Sequence, residues 1–331
     1  MMDVRVSERV SDNSQLPGGQ LLPLGVSVVL YRTPVTKLLP LVDQFLRQGA
    51  ARVYLVDNSP PGFDTFGDWT PPERVTIMAS CLNLGYGRGN NLAIRDSVRR
   101  HRYHIISNPD IQLGDNLLPE LCALLDGRPD VGLCGPRIVD SAGETQYLCK
   151  RAPSVMDLFV RRFAPRSWFR GRRDRYEMRD HSYDREMEPF FISGCFMFFR
   201  STILSQLDGF DERYFLYVED LDLSRRSRQL ARNIYYPHNH VVHGHQRGAH
   251  KSVRLLLNFG ASVVRYFNKW GWTQSSDVPR VFNHAHRNPG PGVGERAGVR
   301  PPDFPPLACG QAGTDGSMEE PDGNEDSSLR R

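Results

Sequence analysis

A chain of 331 residues, 39% hydrophobic and 24% charged, has material for one large or two ordinary domains with a full core. Its formal net charge of +4 is too mild to indicate nucleic acid, though it suits an anionic ligand or surface. No apolar run nears the roughly 20 residues that span a bilayer, and MMDVRVSERVSDNSQLPGGQ at the N-terminus lacks the apolar centre of a signal peptide.

Residues 1–24 read as a polar lead-in. A buried-type strand follows over Gly25 to Leu30, then helical apolar spacing over Lys37 to Leu46. Arg52 to Val56 and Arg74 to Ala79 read as the second and third strands. Asn90 to His101 reads as a helix, Tyr103 to Ile106 as a strand, Asn116 to Leu125 as a helix and Val131 to Cys134 as a strand. Strands alternating with helices imply an α/β fold, with a mostly parallel central sheet and helices on both faces. Ligands in such sheets sit beyond the carboxyl ends of the strands, which puts Tyr31, Arg32, Asp57, Asn58 and Asn108 to Asp110 around one crevice.

The second half breaks the pattern. Residues 161–188 carry nine arginines and read as a charged surface insertion. Pro189 to Arg200 is aromatic and apolar around a Ser193-Gly194 break. Val253 to Trp272 reads as a C-terminal helix, and residues 286–331 as a disordered tail rich in Pro and Gly. The expected layout is a domain over 25–285 between the lead-in and the tail. Six scattered cysteines without a CxxC pair point to a reduced, cytosolic protein with no structural zinc.

The chemistry concentrates in Phe215-Leu216-Tyr217-Val218-Glu219-Asp220-Leu221-Asp222-Leu223-Ser224-Arg225-Arg226. Three carboxylates fall within four residues at a helix start, where they suit either the helix dipole or a general base. Ser107-Asn108-Pro109-Asp110 follows a strand; it is good turn chemistry, and its carboxylate also suits a cation shared with a diphosphate. Downstream lies His243, in a run with His238, His240 and His245 that read as surface histidines. A zinc reading of that run lacks nearby cysteines. Asp57 serves either as a turn former or as a contact to a base or ribose. Asn83-Leu84-Gly85-Tyr86-Gly87-Arg88-Gly89-Asn90-Asn91 is a Gly-rich turn opening a helix; it fits neither a Walker loop nor the GxGxxG spacing, and tight packing explains it equally well.

Taken in order, these stretches resemble glycosyltransferase family 2, within it the rhamnosyltransferase-like branch. The resemblance runs over residues 25–272, through VSVVLYRTP, VDNS, NLGYGRGNN, SNPD, SGCFM, GFDERYFLYVEDLDLSRR and the stretch from Tyr236 to His243. It implies a GT-A fold, a divalent cation (Mg²⁺ or Mn²⁺), a nucleotide-diphosphate sugar donor and inversion at the anomeric carbon. It implies that Tyr31, Asp57, Asn83, Gly85 and Asn108 line the donor site, and that Asp110 and His243 serve the metal. Asp220 would be the base with Glu219 beside it, and Ser193 and Gly194 would border the acceptor. Asn108 stands where the broad family has a first Asp, one charge fewer at the metal. The acceptor is expected to be a polysaccharide or lipid-linked sugar. The expected location is the cytoplasm, at the inner face of the plasma membrane, with peripheral contact through Arg254, Arg265, Lys269, Trp270 and Trp272. The sugar is expected to be L-rhamnose, with galactosyl, glucosyl or fucosyl transfer and a catalytically silent scaffold as alternatives.

Overall fold

The computed structural model describes residues 21–165, 167–244 and 253–272. The chain divides into two compact units, Met1–Pro289 and Gly290–Arg331. The second unit lies outside the described residues, as do most of the lead-in, the tail, His245 and the side chain of Arg254.

Within the first unit, the described residues form one eight-stranded sheet. Its strands are β1 (Leu22–Leu30), β2 (Ala50–Asp57), β3 (Val75–Ala79), β4 (Tyr103–Ser107), β5 (Ile111–Leu113), β6 (Val131–Val139), β7 (Phe196–Arg200) and β8 (Arg232–His243), in the order β3-β2-β1-β4-β7-β6-β8-β5. β3, β2, β1 and β4 run parallel, β6 runs parallel to β8, and β7 and β5 run against their neighbours. Six of eight strands therefore share one direction, as the alternation of strand and helix signals predicts.

Helices α1 (Leu39–Arg47), α2 (Tyr86–Arg100), α3 (Leu117–Asp126), α4 (Val155–Phe163), α5 (Arg170–Tyr176), α6 (Ser201–Gln206), α7 (Glu219–Ser227) and α8 (Val253–Trp270) complete the unit. Alternate side chains of each central strand go to opposite faces, since successive Cβ atoms point apart. Val26, Val28, Ile105, Phe196 and Phe198 meet α1 and α3 in one core. Ile106, Met197 and Phe199 meet Ile94 of α2, Leu204 of α6 and Leu223 of α7 in a second. Strands buried on both faces read as continuous apolar runs, which is why VSVVL and YHII could be picked out.

A third core joins Leu158 of α4, Phe190, Phe191, Tyr214 and Leu221 to Tyr266 and Phe267 of α8. α4 starts on a complete capping box, Ser154 with Asp157, in which each side chain satisfies the other's backbone N–H. The Arg-rich stretch after it is folded. Tyr176, Met178 and Tyr183 are buried, the last two packing with Cys149 and Tyr235. Its arginines find acids close by: Arg172 on Asp157 at 2.7 Å, Arg179 on Glu177 at 2.8 Å. Cys122, Cys134, Cys149 and Cys195 are free and buried.

Candidate active site

The loop before α7 bends sharply. Tyr217 and Val218 both take left-handed backbone angles, φ 68° and 71°, next to Glu219. For a β-branched residue this is a true outlier, costing about 1–3 kcal/mol. The three carboxylates that follow the bend differ in burial and partners. Asp222 is fully buried and structural: Arg226 Nε reaches it at 2.8 Å, Lys269 Nζ at 2.8 Å and Trp270 Nε1 at 2.7 Å. Those contacts fasten α8 to α7, so Lys269 and Trp270 face inward rather than outward. Asp220 is held from both sides, with the Gly194 N–H donating to Oδ2 and the Leu221 N–H to Oδ1, each at 2.9 Å. A Cβ on Gly194 would stand 3.0 Å from Asp220 Cβ, so the bare glycine lets the carboxylate reach the backbone.

Glu219 is buried, and its Oε2 has no hydrogen-bond partner. Burial first, and the Asp220 charge second, push its carboxyl well above the usual glutamate range. A carboxyl that binds its proton more tightly when folded stabilises the fold fully below about pH 4.5, and loses that contribution as pH rises through the folded value. We therefore expect Glu219→Gln, which keeps the shape without the charge, to be more stable than wild type at pH 8. The gap should shrink toward pH 5, as read by denaturant melts at both pH values. Equal pH dependence in the two proteins would show that Glu219 carries no such burden.

Asp110 and His243 lie 133 positions apart in sequence. They meet because β5 pairs antiparallel with β8, with Ile111 opposite His243. His243 Nε2 lies 3.5 Å from Asp110 Oδ1 and accepts from the Asn108 amide at 3.4 Å, leaving Nδ1 buried without a partner. Among the described residues no group of three or more His, Cys, Asp or Glu could hold a metal. The pair still fits a cation that takes its remaining ligands from a diphosphate: one hard carboxylate, and one imidazole whose Nε2 lies 3.5 Å from it.

These two acidic groups are joined through the start of β7. The Asn108 N–H donates to the Cys195 carbonyl at 2.9 Å, and Gly194 holds Asp220. Burial pushes the Cys195 thiol up to about 12, and the charges of Asp220 and Asp110 both add to this. Both carboxylates thus act on one buried residue. Ser193 borders the same turn, its Oγ accepting from the Cys195 N–H at 3.4 Å.

The remaining candidates form a second connected set. Asp57 ends β2 and accepts from the Ser59 N–H at 2.9 Å, a turn contact that leaves its other oxygen for a ligand. Asn83 accepts from the Gly85 N–H at 3.0 Å. Buried Asn58, singled out only as a neighbour of Asp57, ties the two together. It donates to the Gly85 carbonyl at 2.9 Å and accepts from Ser80 at 3.0 Å. Tyr31 stands half exposed after β1, with the Arg32 guanidinium 5.7 Å from its ring centre. No hydrogen bond, ion pair or ring contact among the described residues joins it to the other candidates.

Two features escaped sequence reasoning. Tyr86 sits within the Gly-rich motif; its hydroxyl donates to the Gly194 carbonyl at 2.6 Å, and its backbone N–H donates to the Phe215 carbonyl at 3.1 Å. It therefore locks the helix of the Gly-rich turn to both loops around Asp220. Second, a cavity of about 210 Å³ opens beside Asp220 and Glu219, walled by Tyr217, Phe191, Leu158, Arg162 of α4 and Phe259 of α8. An aromatic wall next to a positioned carboxylate suits the faces of a sugar ring.

No family model matches the chain. An N-acetylglucosaminyl-diphospho-decaprenol L-rhamnosyltransferase of Mycobacterium tuberculosis is 28% identical over 209 residues, covering 58% of this chain and 66% of that protein. The low-salt glycan biosynthesis hexosyltransferase Agl10 of Haloferax volcanii is 23% identical over 189 residues, covering 56% of each chain. The chain thus spans just under two thirds or less of these curated relatives. The crystal structure of GalNAc-T7 with UDP, GalNAc and Mn²⁺ superposes with a TM-score of 0.50 at 14% identity, covering 74% of this chain and 48% of that one. The resemblance to GT-A glycosyltransferases, on the rhamnosyltransferase-like side, holds. Its motifs fall on the GT-A sheet as the sequence leads one to expect. VDNS closes β2, SNPD follows β4, and the carboxylates of GFDERYFLYVEDLDL open α7. Among the described residues no helix is long and apolar enough to cross a membrane.

Proposed function

We propose that the chain is a metal-assisted, inverting glycosyltransferase. In this reading it moves a sugar from a nucleotide-diphosphate donor to a hydroxyl of a glycan or lipid-linked acceptor, with L-rhamnose from dTDP-rhamnose as the preferred donor. The observation that carries it is the placing of Asp220: a carboxylate fixed by two backbone N–H groups at the wall of an aromatic cavity, one turn of chain from the Asp110–His243 pair. The rhamnose assignment draws on the mycobacterial relative, whose name also supports a prenyl-linked acceptor.

Asp57 contacts the base of the donor, and Tyr31, Asn83, Gly85 and Asn108 line the nucleotide. Asp110 and His243 hold the divalent cation, Mg²⁺ or Mn²⁺, which when bound neutralises charge on the departing diphosphate. Asp220 takes the proton of the acceptor hydroxyl as the new glycosidic bond forms on the face opposite the leaving group. Ser193 and Gly194 border that acceptor, and Tyr86 holds the Gly194 carbonyl so that its N–H stays on Asp220. A chain acting on such an acceptor works in the cytoplasm, at the inner face of the plasma membrane.

The test is nucleotide release from a panel of dTDP-rhamnose, UDP-glucose, UDP-galactose and GDP-fucose, with and without Mn²⁺ or Mg²⁺. The expected result is metal-dependent release from one donor, dTDP-rhamnose. Asp110→Asn should lower that rate by roughly a hundredfold, since loss of a metal ligand costs several kcal/mol of charge stabilisation. Release that is indifferent to both metal and Asp110 would sink the metal assignment. Folded protein that binds no donor would make the chain a scaffold.

A further inference from the structure

The exposed apolar side chains of this protein are unevenly spread. On α4 they are Val155, Met156 and Phe159, the last 55% exposed; Trp168 at 62% and Phe169 follow. On α8 they are Val253, Leu257 at 68% and Val264, with Trp272 just beyond. These nine are more than half of the fifteen large apolar residues that are exposed among the described residues. Each helix is two-sided: Leu158 and Val160 of α4, and Tyr266 and Phe267 of α8, are buried. Val253, Leu257, Ala261 and Val264 recur at helical spacing, so α8 presents an apolar stripe to the outside as well as one to the core. An ordinary surface helix has a polar outer face.

The charge around these stripes is mostly positive. Between Ser154 and Tyr176 stand seven arginines and two acids, Asp157 and Asp174. Asp157 is taken up by the Ser154 cap and Arg172. Residues 253–270 contain no acid at all. Arg175 and Arg265 are exposed and make no ion pair among the described residues. Apolar and aromatic side chains flanked by the exposed guanidinium groups of Arg175 and Arg265 match an anionic lipid surface, where rings and aliphatic groups enter the headgroup layer and guanidinium groups stay on the phosphates.

We propose that the outer faces of α4 and α8, with Trp168 and Phe169, seat this protein on an anionic lipid bilayer. The assignment departs from the residues first read as interfacial, because Lys269 and Trp270 are engaged with Asp222 and Asp211 inside the fold. It also bears on the site. The cavity beside Asp220 is walled by Leu158 and Arg162 of α4 and Phe259 of α8, the inner sides of the same two helices. Seating those helices on lipid holds the cavity at the headgroup layer, where a prenyl-anchored acceptor presents its sugar. Only this last step rests on the proposed function; the lipid contact stands without it.

The experiment is flotation of the full chain with vesicles of equal phosphatidylglycerol and phosphatidylcholine, and with phosphatidylcholine alone, alongside light scattering without lipid. We expect flotation with the anionic vesicles, about tenfold weaker on the neutral ones. Phe159→Glu combined with Leu257→Glu should lose flotation about tenfold while keeping donor-dependent nucleotide release, and Leu230→Glu, at an exposed leucine elsewhere, should float as wild type. Should the double variant fail to fold, brominated lipid supplies the readout on the unaltered surface: it should quench wild-type tryptophan fluorescence, and less so in Trp168→Phe. Absence of flotation by wild type, or undiminished flotation by a folded double variant, overturns the proposal. So does a dimer that the double variant converts to monomer without any lipid binding, which would make the face a contact between copies. Wild type that releases nucleotide but does not float would count against the lipid surface alone; wild type that floats but releases no nucleotide would count against the transferase reading alone.

Discussion

Asp220→Asn is expected to reduce sugar transfer by roughly 10²–10⁴-fold, the range that a positioned general base supplies, while donor affinity stays within about threefold of wild type. The change removes the capacity to take a proton and one of the two acceptors that the Gly194 and Leu221 N–H groups now meet. Asn is nearly isosteric, and its side-chain oxygen can still accept from the Gly194 N–H that now meets Oδ2 at 2.9 Å. The surrounding strain stays in place, since Tyr217 and Val218 set the bend through their backbone angles. Glu219 is a poor substitute base. It lies one residue away, but burial raises its hold on its proton, and its Oε2 is enclosed without a partner. Removing the Asp220 charge also relieves one cause of that upward shift, which offsets part of the cost of the Leu221 N–H contact that the amide cannot keep. Single-turnover transfer and donor titration on the same sample separate the two effects. Transfer near the wild-type rate would remove Asp220 from the reaction. An equal loss in donor affinity would make it a binding residue.

Most of the sheet was legible because its strands are buried on both faces and read as apolar runs between helical spacings. The errors have local causes. α2 begins at Tyr86, four residues before its expected start, because Gly85 to Gly89 reads as a turn. In the fold, Gly87 and Gly89 sit inside the helix as close-approach positions. A Cβ on Gly87 would meet Phe210 at 2.9 Å, and one on Gly89 would meet Asn58 at 2.9 Å. The asparagines after them bind structure: Asn90 accepts from Ser27 at 2.6 Å, and Asn91 accepts from the Phe210 N–H at 2.8 Å. β6 runs to Val139 although Gly135-Pro136 argues for a stop; its pairing with β8 shifts register at that proline, which is how a strand tolerates one. α4 carried a readable capping box, Ser154 to Asp157, that the density of arginines after it obscured.

The candidate site was legible as a set of motifs but not as a geometry. Nothing in the spacing of Asp110 and His243 says that they touch; that follows from β5 lying antiparallel to β8 at the sheet edge. The three acids of Glu219-Asp220-Leu221-Asp222 look alike in sequence, yet Asp220 is held beside the cavity by two backbone N–H groups, Glu219 is buried there without a partner for its Oε2, and Asp222 anchors α8. Side-chain type predicts the chemistry available. Burial and partners decide which copy of it faces the substrate.

Gly85→Ala should produce the largest loss of stability among single-atom-scale changes in this protein, about 3–4 kcal/mol, where the tail of measured point mutants lies. Two costs add. Gly85 has φ 82° and ψ 179°, a conformation essentially confined to glycine that costs an L residue about 1–3 kcal/mol. Its added Cβ would then stand 2.1 Å from the Phe215 carbonyl oxygen, a backbone atom that cannot rotate away. That carbonyl accepts the Tyr86 N–H at 3.1 Å, and the Gly85 carbonyl accepts from buried Asn58 at 2.9 Å. Relief of the clash must therefore break a contact on the donor side, or push Phe215 and the bend that aims Asp220. Gly143→Ala separates the two costs: φ is 81° there and nothing lies within 4 Å of the new Cβ, so it should lose only about 1 kcal/mol. Denaturant melts of both variants give the difference. At a temperature where both are fully folded, Gly85→Ala should still transfer sugar more slowly than Gly143→Ala, because the displaced Phe215 carbonyl carries the loop of the base with it. Equal stability losses would show that the dihedral alone matters at Gly85. A large stability loss with full activity in the folded fraction would show that the Gly85–Phe215 contact holds the fold together without positioning Asp220.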